Sequence, residues 1–301
     1  MKNKLFLLAL LSIAFASCQK EDNNINPSAP AGDGGANRQA IPVNTTIGPV
    51  PTSFTQKLLL ENFTGTPYAK VPGNDYAITQ LQNQYPNRII AASFHKNDRM
   101  ETLGASNLLN FVSSGTLPIM PAVMLNRIVF NNKMINDQGT WAANVPYALS
   151  GTPNIGLAIE STVQNYVLNM NIHVGFNAAI TGNYKMCVYI VENNIQHSGS
   201  GYDQANGFNT TISSPFYNLG DPIVNYSHNN VMRMQGTSMT GIAIPSTYQL
   251  TGGHMIQPIS MDISANINFS KTYIVAFVYN TSNLMVMNSQ ITRVGTMKNW
   301  D

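Results

Sequence analysis

His95 and Asp98 are the two residues whose types and spacing best suit acid–base chemistry. They lie three residues apart in "FHKNDRM", directly after the apolar run "RIIAAS", which predicts a position at the end of a buried strand. Binding groups gather at strand ends in open α/β sheets, so a catalytic pair is one hypothesis. No nucleophile or third member can be named from the sequence, and an ordinary solvated loop is the favoured interpretation.

The histidines and methionines do not have the spacing of a metal site. The five histidines, at positions 95, 173, 197, 228 and 254, form no H-x-x-x-H, H-E-x-x-H or Cys/His motif, so we expect no zinc site. Thioethers can hold Cu(I), but filling of an irregular core is the favoured role for the methionines. The methionines concerned are Met232, Met234, Met239, Met255 and Met261.

The turn in "ENFTGTPYAKVP", residues 61–72, is a second candidate site. The run "KLLL" before it predicts a buried strand, and "NDYAITQLQNQYP" after it predicts a helix capped by Asn74. In thioredoxin-like proteins such a turn carries C-x-x-C, but here Tyr68 and Val71 stand at the matching positions, before Pro72. Thiol–disulfide exchange needs a thiolate, so redox catalysis at this turn is excluded.

The shape of the turn could still serve binding. A cis-proline loop faces this turn in thioredoxin-like folds and offers backbone groups to an extended peptide. "GTLPIMPAVML" supplies such a loop, with Pro121 as the predicted cis residue and Pro118 as the alternative. The residues of the candidate groove are Tyr68, Lys70, Met120 and Pro121. The favoured alternative is that Tyr68 and Val71 only fill a vacated site.

Two halves of different pattern position these residues. Residues 53–150 read as strand, helix, strand, helix, hairpin and helix, with the hairpin turn at Asn131-Asn132 and the last helix ended or kinked by Pro146. Residues 151–301 alternate like strands between Gly, Asn, Thr and Ser turns. The predicted fold is therefore an α/β thioredoxin-like domain followed by an all-β sandwich domain.

Residues 197–253 predict long loops with room for two strands, a length that is usually functional or mobile. The aromatic residues of these loops could stack on sugars or on a partner protein, although folding back onto their own domain is favoured. They are Tyr202, Phe208, Phe216 and Tyr217.

The first residues predict the compartment. Lys2 and Lys4 precede the short apolar run "LFLLALLSIAFA", which is typical of a secretory signal over residues 1–17. Cys18 follows small residues, so we expect it to become an acylated N-terminus that anchors the protein in a membrane. Residues 18–52 then form a flexible tether rich in Asn, Gly, Pro and Ala. "QKEDNN" resembles a surface-export signal, and a solvated charge cluster is an equal alternative.

Composition and cysteine count narrow the function. Only 10% of the 301 residues are charged, against about 25% in typical soluble proteins, and the net charge is +2. No basic field is available for nucleic acid, which is excluded as a partner. With Cys18 acylated, Cys187 in "YKMCVYIV" is the last thiol, and we expect it to be a buried apolar residue. No cofactor is expected beyond the lipid on Cys18.

Several segments together resemble one family of bacterial lipoproteins. They are "LLLENFTGTPYAKVP", "ASFHKNDRM", "PAVMLNR", "HNNVMRMQG" and "YIVAFVYNTSNLMVMNSQITRVG". They resemble the outer-membrane-protein-twenty-eight family over about residues 54 to 301, although many relatives carry W-C-x-x-C-P at the turn. The resemblance implies a thioredoxin-like domain, a β-rich domain and a place in the outer membrane, where members are proposed to be receptors or adhesins.

We therefore expect a non-catalytic outer-membrane or surface lipoprotein that binds another envelope protein, a peptide or a glycan. The alternatives are a carbohydrate-binding accessory of an uptake system and an enzyme that uses His95 and Asp98.

Overall fold

The structure is a computed structural model that describes residues 47–301 except residues 138 and 140 and the side chain of Asp137. The signal peptide, Cys18 and the tether up to residue 46 lie outside the described residues, so those predictions stay predictions. The helices are α1 (Val71–Gln84), α2 (Leu103–Ser113) and α3 (Val145–Ala148). The strands are β1 (Leu58–Thr64), β2 (Ile89–His95), β3 (Ala122–Leu125), β4 (Asn136–Asp137), β5 (Ile155–Gln164), β6 (Val167–Phe176), β7 (Tyr184–Glu192), β8 (Val231–Gln235), β9 (Ile242–Ile244), β10 (His254–Asp262), β11 (Thr272–Asn280), β12 (Val286–Arg293) and β13 (Met297–Lys298).

The fold is β-rich, with mixed sheets and few helices. In the described part of the chain a nine-stranded sheet has the order β12-β11-β7-β8-β2-β1-β3-β4, with β9 paired to β7. A second sheet has the order β10-β6-β5-β13. β1 and β2 are parallel, whereas β3 runs antiparallel to β1. Strands from both sides of the predicted boundary at residues 150 and 151 thus share one sheet.

Alternation along β1 and β2 divides their side chains between two cores. Leu58 and Leu60 of β1 pack under α1, while Leu59 and Phe63 pack on the opposite face under α2. Further along the sheet, alternate residues of β7 and β11 pack against the four-stranded sheet, and this third core has the arrangement of a sandwich. All seven positions of β1 and of β2 are buried, as their continuous apolar runs predict.

A buried ion pair lies on the α2 face of the sheet. Arg127 donates from Nε and Nη2 to the two carboxylate oxygens of Glu61, each at 2.7 Å, and Tyr189 Oη donates to Glu61 Oε1 at 2.9 Å. Burial opposes the charge on the guanidinium, but Glu61 outweighs it and raises the pKa of Arg127. The bidentate geometry satisfies the carboxylate and connects β1, the segment after β3 and β7.

Three local predictions are wrong. Asn74 does not cap α1, because Pro72 sits in the first helical turn and the helix starts at Val71. Pro146 also lies in the first turn of α3, so it begins that helix rather than ending it. The end of the predicted tether is packed on the fold, since Trp300 Nε1 donates to the Gly48 carbonyl at 2.9 Å.

Other predictions are confirmed. Cys187 is fully buried, and burial raises the pKa of its thiol to about 12. Met232, Met239 and Met255 are buried in the cores. The long loop region holds two strands, β8 and β9.

Candidate functional site

The turn between β1 and α1 is tight, and it carries Tyr68 and Val71. A side chain at Gly65 would meet the Lys96 carbonyl at 2.2 Å, so only glycine fits there. Tyr68 is half-buried against the core that lies between the nine-stranded sheet and α2, which we call the α2-side core. Its hydroxyl accepts a hydrogen bond from Asn97 Nδ2 at 2.7 Å. Val71 is buried at the start of α1. Both side chains therefore pack at the turn, and neither provides a thiol.

The four predicted groove residues do not share one exposed surface. The Met120–Pro121 peptide bond is cis, as predicted, but both residues are buried because Met120 packs in the α2-side core and β3 follows directly. Lys70 is exposed and Tyr68 half-exposed. The exposed apolar residues of the proline loop are instead Leu117 and Ile119.

His95 and Asp98 form a buried pair rather than the expected solvated loop. His95 Nδ1 lies 2.7 Å from Asp98 Oδ2, and both side chains are at most 3% exposed. The amides of Thr66 and Met100 donate to the two oxygens of Asp98, at 2.9 and 2.8 Å. Burial opposes ionisation of Asp98, but these bonds and His95 outweigh it and hold its pKa below the usual range.

Three residues that sequence reasoning missed join this pair. The rings of His95 and His228 are 5.5 Å apart, and those of His228 and Tyr226 are 5.0 Å apart. Tyr226 Oη donates to Asp75 Oδ2 at 3.1 Å. Burial raises the pKa of Asp75 to about 6 and lowers that of His228 to about 4. The only sequence signal was Tyr226 and His228 two residues apart, which does not point to Asp75 or His95.

The segment that holds Tyr226 and His228 covers the turn, and we call residues 197–228 the strap. Isolated bridges join Ile195 to His228 at its base and Gln204 to Ile223 further along. The fully buried Gln204 donates from Nε2 to the carbonyls of Thr66 and Tyr68, at 3.1 and 3.2 Å. The strap therefore sits on the backbone of the turn between β1 and α1.

We call the titratable residues beneath the strap the acid–base cluster; they are His95, Asp98, His228, Tyr226 and Asp75. The groups of this cluster bind one another. His228 Nε2 lies 2.8 Å from the Tyr202 carbonyl, which directs that ring toward the strap backbone. His95, Asp98 and His228 are all buried, so a substrate cannot reach them while the strap is in place. In this arrangement the cluster joins the strap to β2 and α1.

The outer part of the strap is a loop held by two asparagines. Asn206 Nδ2 donates to the carbonyls of Phe216 and Gly220, at 3.0 and 2.9 Å, and Asn209 Oδ1 accepts from the Gly220 amide. Among the side chains that this loop and the following residues expose, four are large and apolar. They are Ile212 at 81%, Val224 at 56%, Leu219 at 52% and Tyr217 at 45%. We call these four residues the strap surface.

The predicted loop aromatics separate into two groups. Tyr202 is half-buried against Met100, Ile195 and Val231, so it folds back onto the protein. Phe208 and Phe216 are half-buried and 6.2 Å apart with planes at 44°, and Phe216 meets Tyr76 edge-on at 6.3 Å. Tyr217 is exposed within the strap surface.

The described residues hold neither a metal-ligand cluster nor a helix suited to cross a membrane. Within residues 47–301, apart from the two omitted positions, no three His, Cys, Asp or Glu side chains are arranged to hold a metal ion. In the same part of the chain no helix is long and apolar enough to cross a membrane.

Comparison with known proteins identifies the family. A family model described as outer membrane protein Omp28 matches residues 111–298, which is more than half of the chain. The protein therefore belongs to the Omp28 family, and its location is the outer membrane. No curated protein matches the chain significantly.

Two solved structures are similar to this chain. A crystal structure of a protein from Agrobacterium tumefaciens has 11% identity and a TM-score of 0.45, covering 80% of this chain and 96% of that one. A domain of the outer membrane lipoprotein Omp28 from Porphyromonas gingivalis has 10% identity and a TM-score of 0.30, covering 50% of this chain and 92% of that one. Similarity at this level carries no argument about function.

Proposed function

We propose that this outer membrane protein is a non-catalytic binding protein, anchored by lipid on Cys18, and that the strap surface contacts another envelope or host-surface protein. The observation that carries the proposal is the exposure of four apolar side chains on a segment held by specific hydrogen bonds. Large apolar side chains exposed on one ordered segment are a feature of protein–protein contact sites.

Anchoring of the strap gives this surface a fixed shape. Besides the bonds from Gln204, Arg99 Nε donates to the Ser200 carbonyl at 3.1 Å, and the Asn206 amide donates to Asp221 Oδ1 at 2.8 Å. A loop that is already ordered loses less conformational entropy when it binds, so more of the contact energy appears as affinity.

A protein partner fits the strap surface better than a sugar does. The ring planes of Phe208 and Phe216 are inclined at 44°, and Tyr76 stands at 89° to Phe216, so no flat row of rings is presented. Ile212, Leu219 and Val224 offer no hydrogen bonds to hydroxyl groups, but they are suited to enter apolar pockets of a protein.

In the same proposal residues 53–150 are a thioredoxin-like unit whose redox site has become the support of the strap. The parallel pairing of β1 with β2, the positions of α1 and α2 on opposite faces and the antiparallel β3 support this assignment. The closed acid–base cluster supports a role without catalysis, since its members bind one another.

The test is capture of the partner in intact cells. Cells that display the wild-type protein or the Ile212→Asp variant are cross-linked with formaldehyde, and the complexes are purified under denaturing conditions. Leu250→Asp is the matched control, because Leu250 is 59% exposed and lies outside the strap. We expect one discrete partner with the wild type and the control and its loss with Ile212→Asp. Equal capture by all three would overturn the proposal.

A further inference from the structure

An open cleft of about 610 Å³ lies where β7 begins and β11 ends. Its walls include the aromatic residues Phe111, Tyr184 and Tyr279, and none of the residues that line it belongs to the strap. Small-molecule sites usually have volumes of about 300–1,000 Å³ and combine aromatic walls with a few placed polar groups. The cleft is thus separate from the strap surface and has the size of a small-molecule site.

The aromatic walls of the cleft are fixed by their partners. Tyr279 Oη donates to the Thr240 carbonyl at 2.8 Å, and its ring meets Phe111 edge-on at 5.9 Å. The buried guanidinium of Arg127 lies 5.6 Å from the centre of the Phe111 ring and 5.4 Å from that of Tyr279. Tyr184 Oη donates to the Thr181 carbonyl at 3.3 Å. A ligand therefore meets surfaces that need little rearrangement to receive it.

The polar lining of the cleft consists of hydroxyl and amide groups and one cation. Thr240, Ser246 and Thr281 contribute hydroxyl groups, and Asn183 contributes a carboxamide. Among the residues that line the cleft, Lys185 alone carries a formal charge. Such a lining offers both donors and acceptors and does not repel a neutral or singly anionic ligand.

We propose that this cleft binds a saccharide and prefers one that carries a carboxylate. A sugar ring presents C–H groups that pack on an aromatic face, and Phe111 is the half-exposed ring among the walls. Its hydroxyl groups match the hydroxyl and amide lining. The charge of Lys185 favours an anionic substituent.

Other ligand classes fit less well. A nucleotide would bring several negative charges to a single lining cation, and a cationic ligand would be repelled by Lys185. A purely apolar ligand would leave the polar groups of the cleft without partners, which costs binding energy. A saccharide with one carboxylate satisfies the aromatic, polar and charged parts of the lining together.

Saturation-transfer NMR on the purified folded protein tests this proposal, with glucose, galactose, N-acetylglucosamine, glucuronic acid and galacturonic acid as the probes. We expect saturation transfer to the sugar protons and tighter binding of the two acids. Phe111→Ala should weaken binding about tenfold, and Lys185→Gln should weaken binding of the acids about threefold while leaving glucose unchanged. Lys271→Gln, at an exposed position outside the cleft, is the matched control.

A second variant keeps the test decisive if Phe111→Ala disturbs the core. Ala243 is an exposed residue of β9 that lines the cleft, so Ala243→Trp should fill it without changing the buried side chains. Loss of saturation transfer in Ala243→Trp supports the proposal. Absence of transfer from all five sugars to the wild type, or unchanged transfer with Ala243→Trp, would overturn it. The formaldehyde cross-linking experiment on Ile212 does not depend on sugar binding, so this proposal and the proposed function can fail separately.

Discussion

The backbone amide of Ala205 donates to the carbonyl of Thr66 at 2.9 Å and so joins the strap to the turn between β1 and α1. Two residues further on, the Gly207 amide donates to the Ala69 carbonyl at 2.8 Å. A side chain at position 207 would approach that carbonyl to 3.1 Å, and glycine lets the two backbones lie this close. The turn between β1 and α1 thus supports a loop that lies more than 130 residues further along the chain.

Loss of the Gln204 side chain should loosen the strap. Gln204→Ala removes two hydrogen bonds to the turn and leaves the buried carbonyls of Thr66 and Tyr68 with fewer partners, at a cost of about 1–3 kcal/mol. We expect faster amide hydrogen exchange across residues 199–224 and a lower free energy of unfolding. Gln257→Ala is the control, because Gln257 Nε2 donates only to the neighbouring Pro258 carbonyl. Unchanged exchange in the strap would contradict this role for Gln204.

Asp75 should make stability fall as the pH rises. Its pKa is about 6 in the folded protein, above the usual value, so the folded state binds the proton more tightly than the unfolded chain does. Its stabilising contribution is complete below about pH 4 and is lost as the pH rises through about 6. Asp75→Asn should therefore match the wild type near pH 4 and exceed its free energy of unfolding by on the order of 2 kcal/mol at pH 7. Urea unfolding at a series of pH values measures this difference.

His228 should make stability depend on pH in the opposite direction, with stability falling as the pH falls. Its folded-state pKa of about 4 is below the usual value, so its contribution is present above about pH 6.5 and is lost as the pH falls through about 4. His228→Gln should abolish the loss of unfolding free energy that His228 causes at acid pH. The difference in unfolding free energy between Asp75→Asn and its parent protein should stay the same in the His228→Gln background. If Asp75→Asn gave the same difference from the wild type at every pH, burial would not be acting on that carboxyl group.

A variant with cysteines at positions 68 and 71 tests whether residues 53–150 are a thioredoxin-like unit. The wild type lacks thiols at positions 68 and 71, and we expect it not to speed the reduction of insulin by dithiothreitol. The Val71 amide donates to the Tyr68 carbonyl at 3.0 Å, which places the two positions on one turn. The double variant Tyr68→Cys/Val71→Cys should form a reversible disulfide, detected by mass shift after alkylation. Failure to oxidise in the folded variant would contradict the assignment of this turn.

Cys18 should decide whether the protein stays with the membrane. Cys18→Ala removes the thiol that would carry the lipid, and a lipid anchor contributes about 0.8 kcal/mol for each buried methylene group. We expect the variant to move from the membrane pellet to the soluble fraction, measured by fractionation and immunoblotting. Cys187→Ala, at a buried position, is the control and should remain in the pellet. Retention of Cys18→Ala in the pellet would show that another feature holds the protein there.

The pattern of apolar residues along the chain predicted the buried strands correctly. The apolar runs at residues 58–63 and 89–94 became buried strands, and the alternation in residues 184–191 became β7. The start of α1 was missed because Asn74 is a good cap in isolation, whereas here its Nδ2 donates to Asn62 Oδ1 at 3.0 Å. A tertiary hydrogen bond overrode the local preference.

The candidate site was less predictable than the fold, because long-range contacts make it. Tyr226 and Asp75 are 151 residues apart in the chain, and nothing near either residue indicates the other. β2 meets β8 through the single register pair Ser93 and Val231, and this junction brings His228 to His95. His95 and Asp98 could be singled out from their spacing, but the burial that closes their cluster depends on the strap.

Photo-cross-linking in intact cells tests most directly whether the strap surface binds a protein partner. A photoreactive amino acid is placed at Ile212, with Leu250 and Tyr68 as comparison positions, and the cells are irradiated before immunoblotting. We expect a discrete adduct from position 212 and none from position 250, and mass spectrometry then names the partner. An adduct from position 68 alone, or no adduct from position 212 in folded and displayed protein, would contradict partner binding by the strap surface.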